Sequence, residues 1–252
     1  MAEKAKPGKL KADTLAAFNS YIREAETEAE ATLTGKGTFL WCDRDAERRR
    51  RIRAGEIVAQ FWSGRAPVKV PDGLIHDWIG SALVPGRSTS DTLALIQNYD
   101  NHKNIYKPEV IDSRLISRHD GNYKIYLRLL KKKVITVVLD TDHDVYYSRA
   151  DRLRWVCRSY STRIAEVENP GSSNEVVLPA DTGYGFLWRL YSYWRFEDRS
   201  EGVFTECRAI SLTRDVPFGL GWVIEPIIQR LPQESLIHTL EATRSALVRK
   251  RE

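Results

Sequence analysis

Apolar residues recur at three- and four-residue steps over Leu15, Phe18, Ile22, Ala25, Ala29 and Leu33, while Glu24, Glu26, Glu28 and Glu30 fall mostly off that stripe. This spacing predicts an amphipathic helix over 12–33, ended by Gly35 and Gly37. A helix with a single apolar stripe needs a surface to cover, so it reads as an extension docked on the main body. A second short helix is predicted over 43–53, with Asp43 as its N-cap.

From Gly55 the period shortens to two. Ile57, Ala59 and Phe61 alternate with polar neighbours, and residues 74–84 form a longer strand candidate closed by Pro85 and Gly86. Ser88 and Asp91 have capping-box spacing before a helix that buries Leu93 and Ile96. Strands are then predicted at 110–118, 122–131, 133–141, 145–149 and 152–167, with turns at Gly121 and Asn122 and over 140–144. A long polar loop, 168–183, precedes two more strands, 184–197 and 203–213. Helical segments at 218–231 and 233–249 finish the chain, separated by Pro226 and Pro232, the last burying Leu236, Leu240, Thr243 and Leu247. A run of strands framed by helices argues an α+β fold, divided into a helical extension (1–54) and a main domain (55–252).

The late pair of strands is the most informative stretch. Trp188, Leu190, Ser192, Trp194 and Phe196 share one face of the first, and Val203, Thr205, Cys207, Ala209 and Ser211 share one face of the second. Any even-numbered turn near 199–202 sets these two faces side by side, large rings against small residues. Such a surface is either an interdigitated core or the wall of a hollow one; alternation alone fits both. The opposite face carries Tyr191, Tyr193, Glu206 and Arg208, which read as a solvent-side ladder, with Tyr193 opposite Glu206 and Tyr191 opposite Arg208 if the loop has four residues.

Composition changes this picture in two places. Seven Trp and 11 Tyr against one Met favour stiff aromatic sheet surfaces. The formal net charge of +5 suggests nucleic acid until it is located: residues 1–11, 44–53 and 249–252 together carry +9, leaving −4 for the rest. The basicity is peripheral, and no nucleic-acid motif accompanies it. Glu47 is placed to pair with Arg51 at i, i+4. The run Arg48, Arg49, Arg50 and Arg51 reads as a solvated helix face that also offers a contact to an anionic membrane.

Other chemistry is thin. Asp140, Asp142 and Asp144 alternate like a calcium loop, but Val145 stands where its glycine belongs. His76, His102, His119, His143 and His238 lack ligand spacing, and His76 and Asp77 face opposite sides of one strand. Cys42, Cys157 and Cys207 make neither a disulfide framework nor a zinc motif. No apolar leader follows Met1, so the chain is expected in the cytoplasm, or in the periplasm or outside the cell if a leader was removed.

The strand Leu74-Ile-His-Asp-Trp-Ile-Gly-Ser-Ala-Leu-Val84, the helix with Leu93, Leu95, Ile96, Tyr99 and Asp100, and the stretch Ile105-Tyr-Lys-Pro-Glu-Val110 resemble the START-like, helix-grip (SRPBCC) superfamily. So do the stretch from Trp188 to Trp194 and Gly219-Leu-Gly-Trp222, which are similar to a bacterial branch of it. Asn98 and Lys103 depart from the common pattern of Asp and Pro. The resemblance implies a curved antiparallel sheet of about seven strands gripping a long C-terminal helix, with a mostly apolar cavity between them and no cofactor. It implies a hydrophobic small molecule or lipid as partner, bound or transferred, with a cyclase or aromatase acting in the same cavity as the alternative. The expected wall is Trp188, Leu190, Trp194, Phe196, Thr205, Cys207 and Ala209 from the strands, and Trp222, Ile227 and Leu240 from the helical side. Segments 98–108 and 168–183 are the expected portals.

Overall fold

The computed structural model describes residues 7–63, 67–132, 136–215 and 221–249, the side chains of 221–229 excepted. In chain order, β1 (Gly8–Lys9) precedes α1 (Ala12–Leu33), and α2 (Ala46–Arg53) follows a single 3-10 turn, Trp41–Arg44. Next come β2 (Val58–Phe61), β3 (Val68–Val70), β4 (Gly73–Pro85), α3 (Thr89–Ile96) and α4 (His102–Ile105). The strands β5 (Val110–His119), β6 (Asn122–Lys132), β7 (Thr136–Arg149) and β8 (Arg154–Glu168) then run consecutively. Two short pieces, β9 (Val176–Val177) and β10 (Thr182–Gly183), lead to the hairpin of β11 (Arg189–Arg199) and β12 (Gly202–Arg214), and α5 (Gly221–Arg249) closes the chain.

Eight strands pair in the order β2-β4-β12-β11-β8-β7-β6-β5, with β3 also on β4 and β9 also on β8; every pairing is antiparallel. The α+β class holds, and the excess over about seven strands comes from the short edge pieces. The sheet curls round α5. Gln233 Nε2 donates to the Ala59 carbonyl of β2 at 3.2 Å, and Lys131 of β6 donates to Ser235, so opposite halves of the strand path meet the same helix within three residues. This is a helix-grip arrangement, with a concave face toward α5 and a convex face away from it.

The hairpin turn is two residues long, because Arg199 pairs with Gly202. Gly202 has φ +139°, and a Cβ there would lie 2.2 Å from the Val84 carbonyl, so only glycine passes this close to β4. The turn is even-numbered, and Trp194 sits opposite Cys207, Phe196 opposite Thr205 and Ser192 opposite Ala209. The other face pairs Tyr193 with Arg208 and Arg195 with Glu206, one step from the four-residue-loop register.

Four expectations need correcting. Asp45, not Asp43, caps α2, accepting from the Arg48 amide at 2.7 Å; Asp43 is spent on Arg199, whose NH1 donates to it at 3.1 Å. Glu47 pairs with Arg50 at i, i+3. Residues 140–144 are not a turn: β7 runs through them, because Asp140, Asp142 and Asp144 project to one face and pair with Arg128, Arg163 and Lys124. Finally, α5 continues through Pro226 and Pro232, each of which deletes one backbone donor from a helix held elsewhere by its packing.

The convex face of β4, β12 and β11 is not solvated. α1 lays Phe18, Ile22 and Ala25 against Ile75, Ile210, Leu212 and Trp188, and residues 39–42 pack with Ile79, Leu83 and Phe204. The apolar stripe of α1 therefore found the outer side of the sheet.

Candidate functional site

Antiparallel register places the concave side chains in rows across the strands. One row runs Ala82, Thr205, Phe196, Trp155, and the next Gly80, Cys207, Trp194, Cys157, Tyr147. These rows are apolar and packed. Phe196, Val84, Cys157, Tyr123 and Val145 meet Leu93, Ile96 and Tyr99 from the α3 side, and Leu247 from α5. A Cβ at Gly80 would meet Leu240 at 2.9 Å and Leu236 at 3.1 Å, so α5 sits directly on β4.

The next two rows differ in chemistry. One runs Trp78, Ala209, Ser192, Ser159, and the following one aligns His76 with Ser211 and Ser161 with His143. Leu190 lies between the last two pairs and donates its amide to Ser161 Oγ at 2.9 Å. Leu190, Ser192, Trp194, Ala209, Ser159, Leu127 and Leu129 are only half-buried, although they lie on interior strands facing the helix. The concave face thus passes from a filled aromatic end to a less covered end bearing hydroxyls, two imidazoles and an indole.

Both imidazoles are uncharged near neutral pH. Burial lowers His76 and His143 to about 4. His143 Nε2 lies 3.1 Å from Thr141 Oγ1, and its Nδ1 lies 3.5 Å from Ser159 Oγ, too long for an activated nucleophile. His76 Nε2 lies 3.1 Å from Thr213 Oγ1, while its Nδ1, Trp78 Nε1 and Thr205 Oγ1 are buried without a partner.

The sequence-predicted wall divides accordingly. Phe196, Thr205, Cys207 and Leu240 are at most 3% exposed and belong to packed regions. Leu190, Trp194 and Ala209 border the less covered part. Trp188 is a correction: it packs with Phe18 and Ile22 on the convex side. The alternation of β11 does not extend back to it, because Trp188 lies in a bend and the strand begins only at Arg189; just upstream, Gly183 and Gly185 are at positive φ. A Cβ at Gly185 would lie 2.4 Å from Arg214 Cβ. The backbone at Trp222 and Ile227 is helical, and their side chains lie outside the described residues. His76, Trp78, Ser159, Ser161 and His143 were not on the predicted wall; their common face follows from register across five strands.

Segments 98–108 and 168–183 sit at different ends. Tyr99 and Tyr106 close the packed end, with Tyr106 and Thr243 hydroxyls 3.1 Å apart. Segment 168–183 folds against the end of β8, where the Leu178 amide donates to the Glu166 carbonyl at 2.8 Å.

The convex face concentrates charge instead. Glu206 accepts from the Trp41 and Cys42 amides at 2.8 and 2.7 Å, and burial raises its carboxyl to about 7. Arg208 grips Asp77 at 3.0 and 2.7 Å, Tyr21 donates to the same carboxylate at 2.7 Å, and Tyr160 and Tyr193 both donate to Glu26. A cavity of about 40 Å³ lies among Trp41, Tyr193, Arg195 and Glu206, a volume on the scale of a water molecule. These groups bind α1 and residues 41–42 to the sheet.

A groove of about 540 Å³ lies between the C-terminal ends of α2 and α5. It is open, and two of its arginines are engaged: Arg53 pairs with Glu201, and Arg244 donates to the Gly55 carbonyl. Among the described residues no group of His, Cys, Asp and Glu is arranged to hold a metal ion, and no helix is long and apolar enough to cross a membrane.

No protein-family model and no curated protein matches the chain. Solved structures do. A STAR-related lipid transfer protein from Xanthomonas axonopodis matches at 16% identity and TM-score 0.48, over 73% of this chain and 97% of its own. An aromatase/cyclase, Zhui, from a Streptomyces species matches at 10% identity and TM-score 0.49, over 71% of this chain and 96% of its own. Human STARD10 matches at 10% identity and TM-score 0.45, over 79% of each chain. At these identities and TM-scores the likeness assigns no ligand, activity or partner to this chain.

Proposed function

We propose that the chain binds or carries a hydrophobic small molecule or lipid between the concave face and α5. The observation that supports this reading is the half-buried state of Leu190, Ser192, Trp194 and Ala209, which lie on interior strands and face the helix that the sheet encloses. A ligand laid there gains about 25 cal/mol for each Å² of apolar surface withdrawn from water. Trp194 supplies an aromatic wall, and Ala209 and Ser192 supply space beside it. The fluorescence of a dansyl-labelled fatty acid or of a fluorescent sterol is expected to rise saturably with protein. Ala209→Trp, which fills the space, is expected to weaken that binding at least about tenfold while unfolding remains cooperative. No saturable signal from either probe, or equal binding by the variant, rejects the reading.

A second reading, an enzyme of the cyclase kind, draws on the neutral imidazoles of His76 and His143 on the same face. A neutral imidazole is a competent base, but His143 has only hydroxyl partners within 3.5 Å and no carboxylate to orient it. Binding without chemistry is therefore the reading favoured here.

A further inference from the structure

His76 and Trp78 stand two residues apart on β4 and so present their side chains to the same concave side. Both are at least 95% buried. The His76 ring is anchored through Nε2 to Thr213 Oγ1 at 3.1 Å, and the indole of Trp78 is held against the Phe61 ring with centroids 3.9 Å apart. The remaining polar atoms, His76 Nδ1 and Trp78 Nε1, have no hydrogen-bond partner. Two fixed rings with unused hydrogen-bonding atoms on one face are an uncommon arrangement, because buried polar groups are normally paired. The cross-strand neighbours are small: Ser211 stands opposite His76, and Ala209 opposite Trp78.

The charges nearby are already committed. Asp77, between the two residues, points to the convex face and is bound by Arg208. On the concave side Lys131 pairs with Glu109 and donates to Ser235. Glu166, at the end of β8, accepts three backbone amides, from residues 184, 185 and 186. These three charged side chains are engaged and offer a ligand no free counter-ion, and burial keeps the His76 imidazole neutral.

Resting on the binding reading above, we propose that the ligand carries an uncharged oxygen, a hydroxyl or a ketone carbonyl, that accepts from Trp78 Nε1 and is bonded by His76 Nδ1. An indole N–H only donates, so the ligand group must contain an acceptor. An imidazole nitrogen serves as acceptor for a hydroxyl, or as donor to a carbonyl in the other tautomer. A carboxylate or phosphate of the same skeleton would be buried as an unpaired anion. Selectivity of this kind is strong because the site's own polar groups go unpaired when the wrong ligand binds.

Three matched probes test the proposal: 12-(1-pyrenyl)dodecanol, 12-(1-pyrenyl)dodecanoate and 1-dodecylpyrene, titrated at pH 7.5 with tryptophan-to-pyrene energy transfer as the readout. The alcohol is expected to bind about tenfold or more tightly than either the carboxylate or the hydrocarbon. Trp78→Phe and His76→Gln are each expected to shrink the alcohol-to-hydrocarbon ratio toward one while leaving hydrocarbon binding within about threefold. Equal binding of the three probes by the unaltered protein overturns this inference and leaves the binding reading standing. So does an unchanged ratio in both variants. Failure of all three probes to bind overturns the binding reading and this inference with it. The wild-type ratio needs no variant, so a folding failure of either substitution does not protect the proposal.

Discussion

The two faces of this sheet carry polar groups of different kinds, and the difference separates the fold from the site. On the convex face, under α1 and residues 39–42, charged groups are buried and bonded: Arg208 to Asp77, Glu206 to two amides, and Arg195 to Ala29 and Thr32 at 3.1 and 2.6 Å, with the neutral Ser81 hydroxyl left unpaired beside Glu206. The charged groups tie α1 and residues 39–42 to the sheet. On the concave face the groups around His76 and Trp78 are neutral, and three atoms of that face, His76 Nδ1, Trp78 Nε1 and Thr205 Oγ1, lack partners. A buried charge with every bond made belongs to the architecture, because any missing bond would be costly. A neutral donor left unpaired costs less and remains available to a ligand. Neither polarity nor a single unmet hydrogen bond marks a site; two unmet ring nitrogens on one face, at His76 and Trp78, are what sets the concave side apart.

The sharpest way to break this contrast is Arg208→Met, which leaves Asp77 buried and without its cation. Urea unfolding is expected to show a loss of about 3–5 kcal/mol, with ligand affinity of the folded protein unchanged. A loss under about 1 kcal/mol would mean that the convex network is ornamental, and altered affinity would mean that the faces are coupled.

Next in size is the pH dependence of Glu206. Its carboxyl titrates at about 7 in the folded protein against 4.5 for an ordinary glutamate, so the folded state holds the proton more tightly. That contribution to stability is fully present below pH 4.5, falls as pH rises from there, and is gone above about pH 7. The fall amounts to about 3 kcal/mol. In Glu206→Gln this segment of the profile should vanish, which chemical denaturation at pH 4.5, 6 and 8 would reveal. Parallel profiles for the two proteins would contradict the assignment.

Gly80→Ala probes the concave seat of α5. The added methyl would stand 2.9 Å from Leu240 and 3.1 Å from Leu236, so the helix must shift. The expected cost is about 1–3 kcal/mol in urea unfolding, together with weaker probe binding, since the same helix bounds the proposed site. A variant as stable as the parent would show that the grip is looser than these distances imply.

Much of the fold was legible because its signals are local. The stripe from Leu15 to Leu33 gave α1 at the expected bounds, and Ser88 with Asp91 makes both bonds of a capping box. Alternation gave the facing of Trp194, Phe196, Cys207 and Ala209. What failed depended on partners far along the chain. Asp140, Asp142 and Asp144 looked like a turn, because Arg128, Arg163 and Lys124 are visible as their partners only once three strands are aligned. Tyr193 and Arg208 looked solvent-facing, because nothing in their own strands announces that α1 will cover them. His76 and His143 were two isolated histidines until register placed both in one concave row. Trp188 was misplaced because it lies in a bend and the strand begins only at Arg189, which a strict period of two does not anticipate.

The smallest predicted effect tests whether an unpaired concave group belongs to the site or only to the core. Thr205 Oγ1 is buried without a partner, like the ring nitrogens of His76 and Trp78, but it lies in the packed row between Ala82 and Phe196. There the hydroxyl has no hydrogen-bonding use, and Thr205→Val keeps its shape. The substitution is expected to raise stability by about 1 kcal/mol, since it removes a desolvated hydroxyl without opening a cavity. Alcohol-probe affinity should not change. Differential urea unfolding and the pyrene titration measure the two quantities on one sample. Loss of alcohol binding in Thr205→Val would extend the polar site into the packed rows and erase the boundary drawn at Trp194. A gain in stability with affinity intact would place that boundary between an orphan that merely costs the fold and two that a ligand can satisfy.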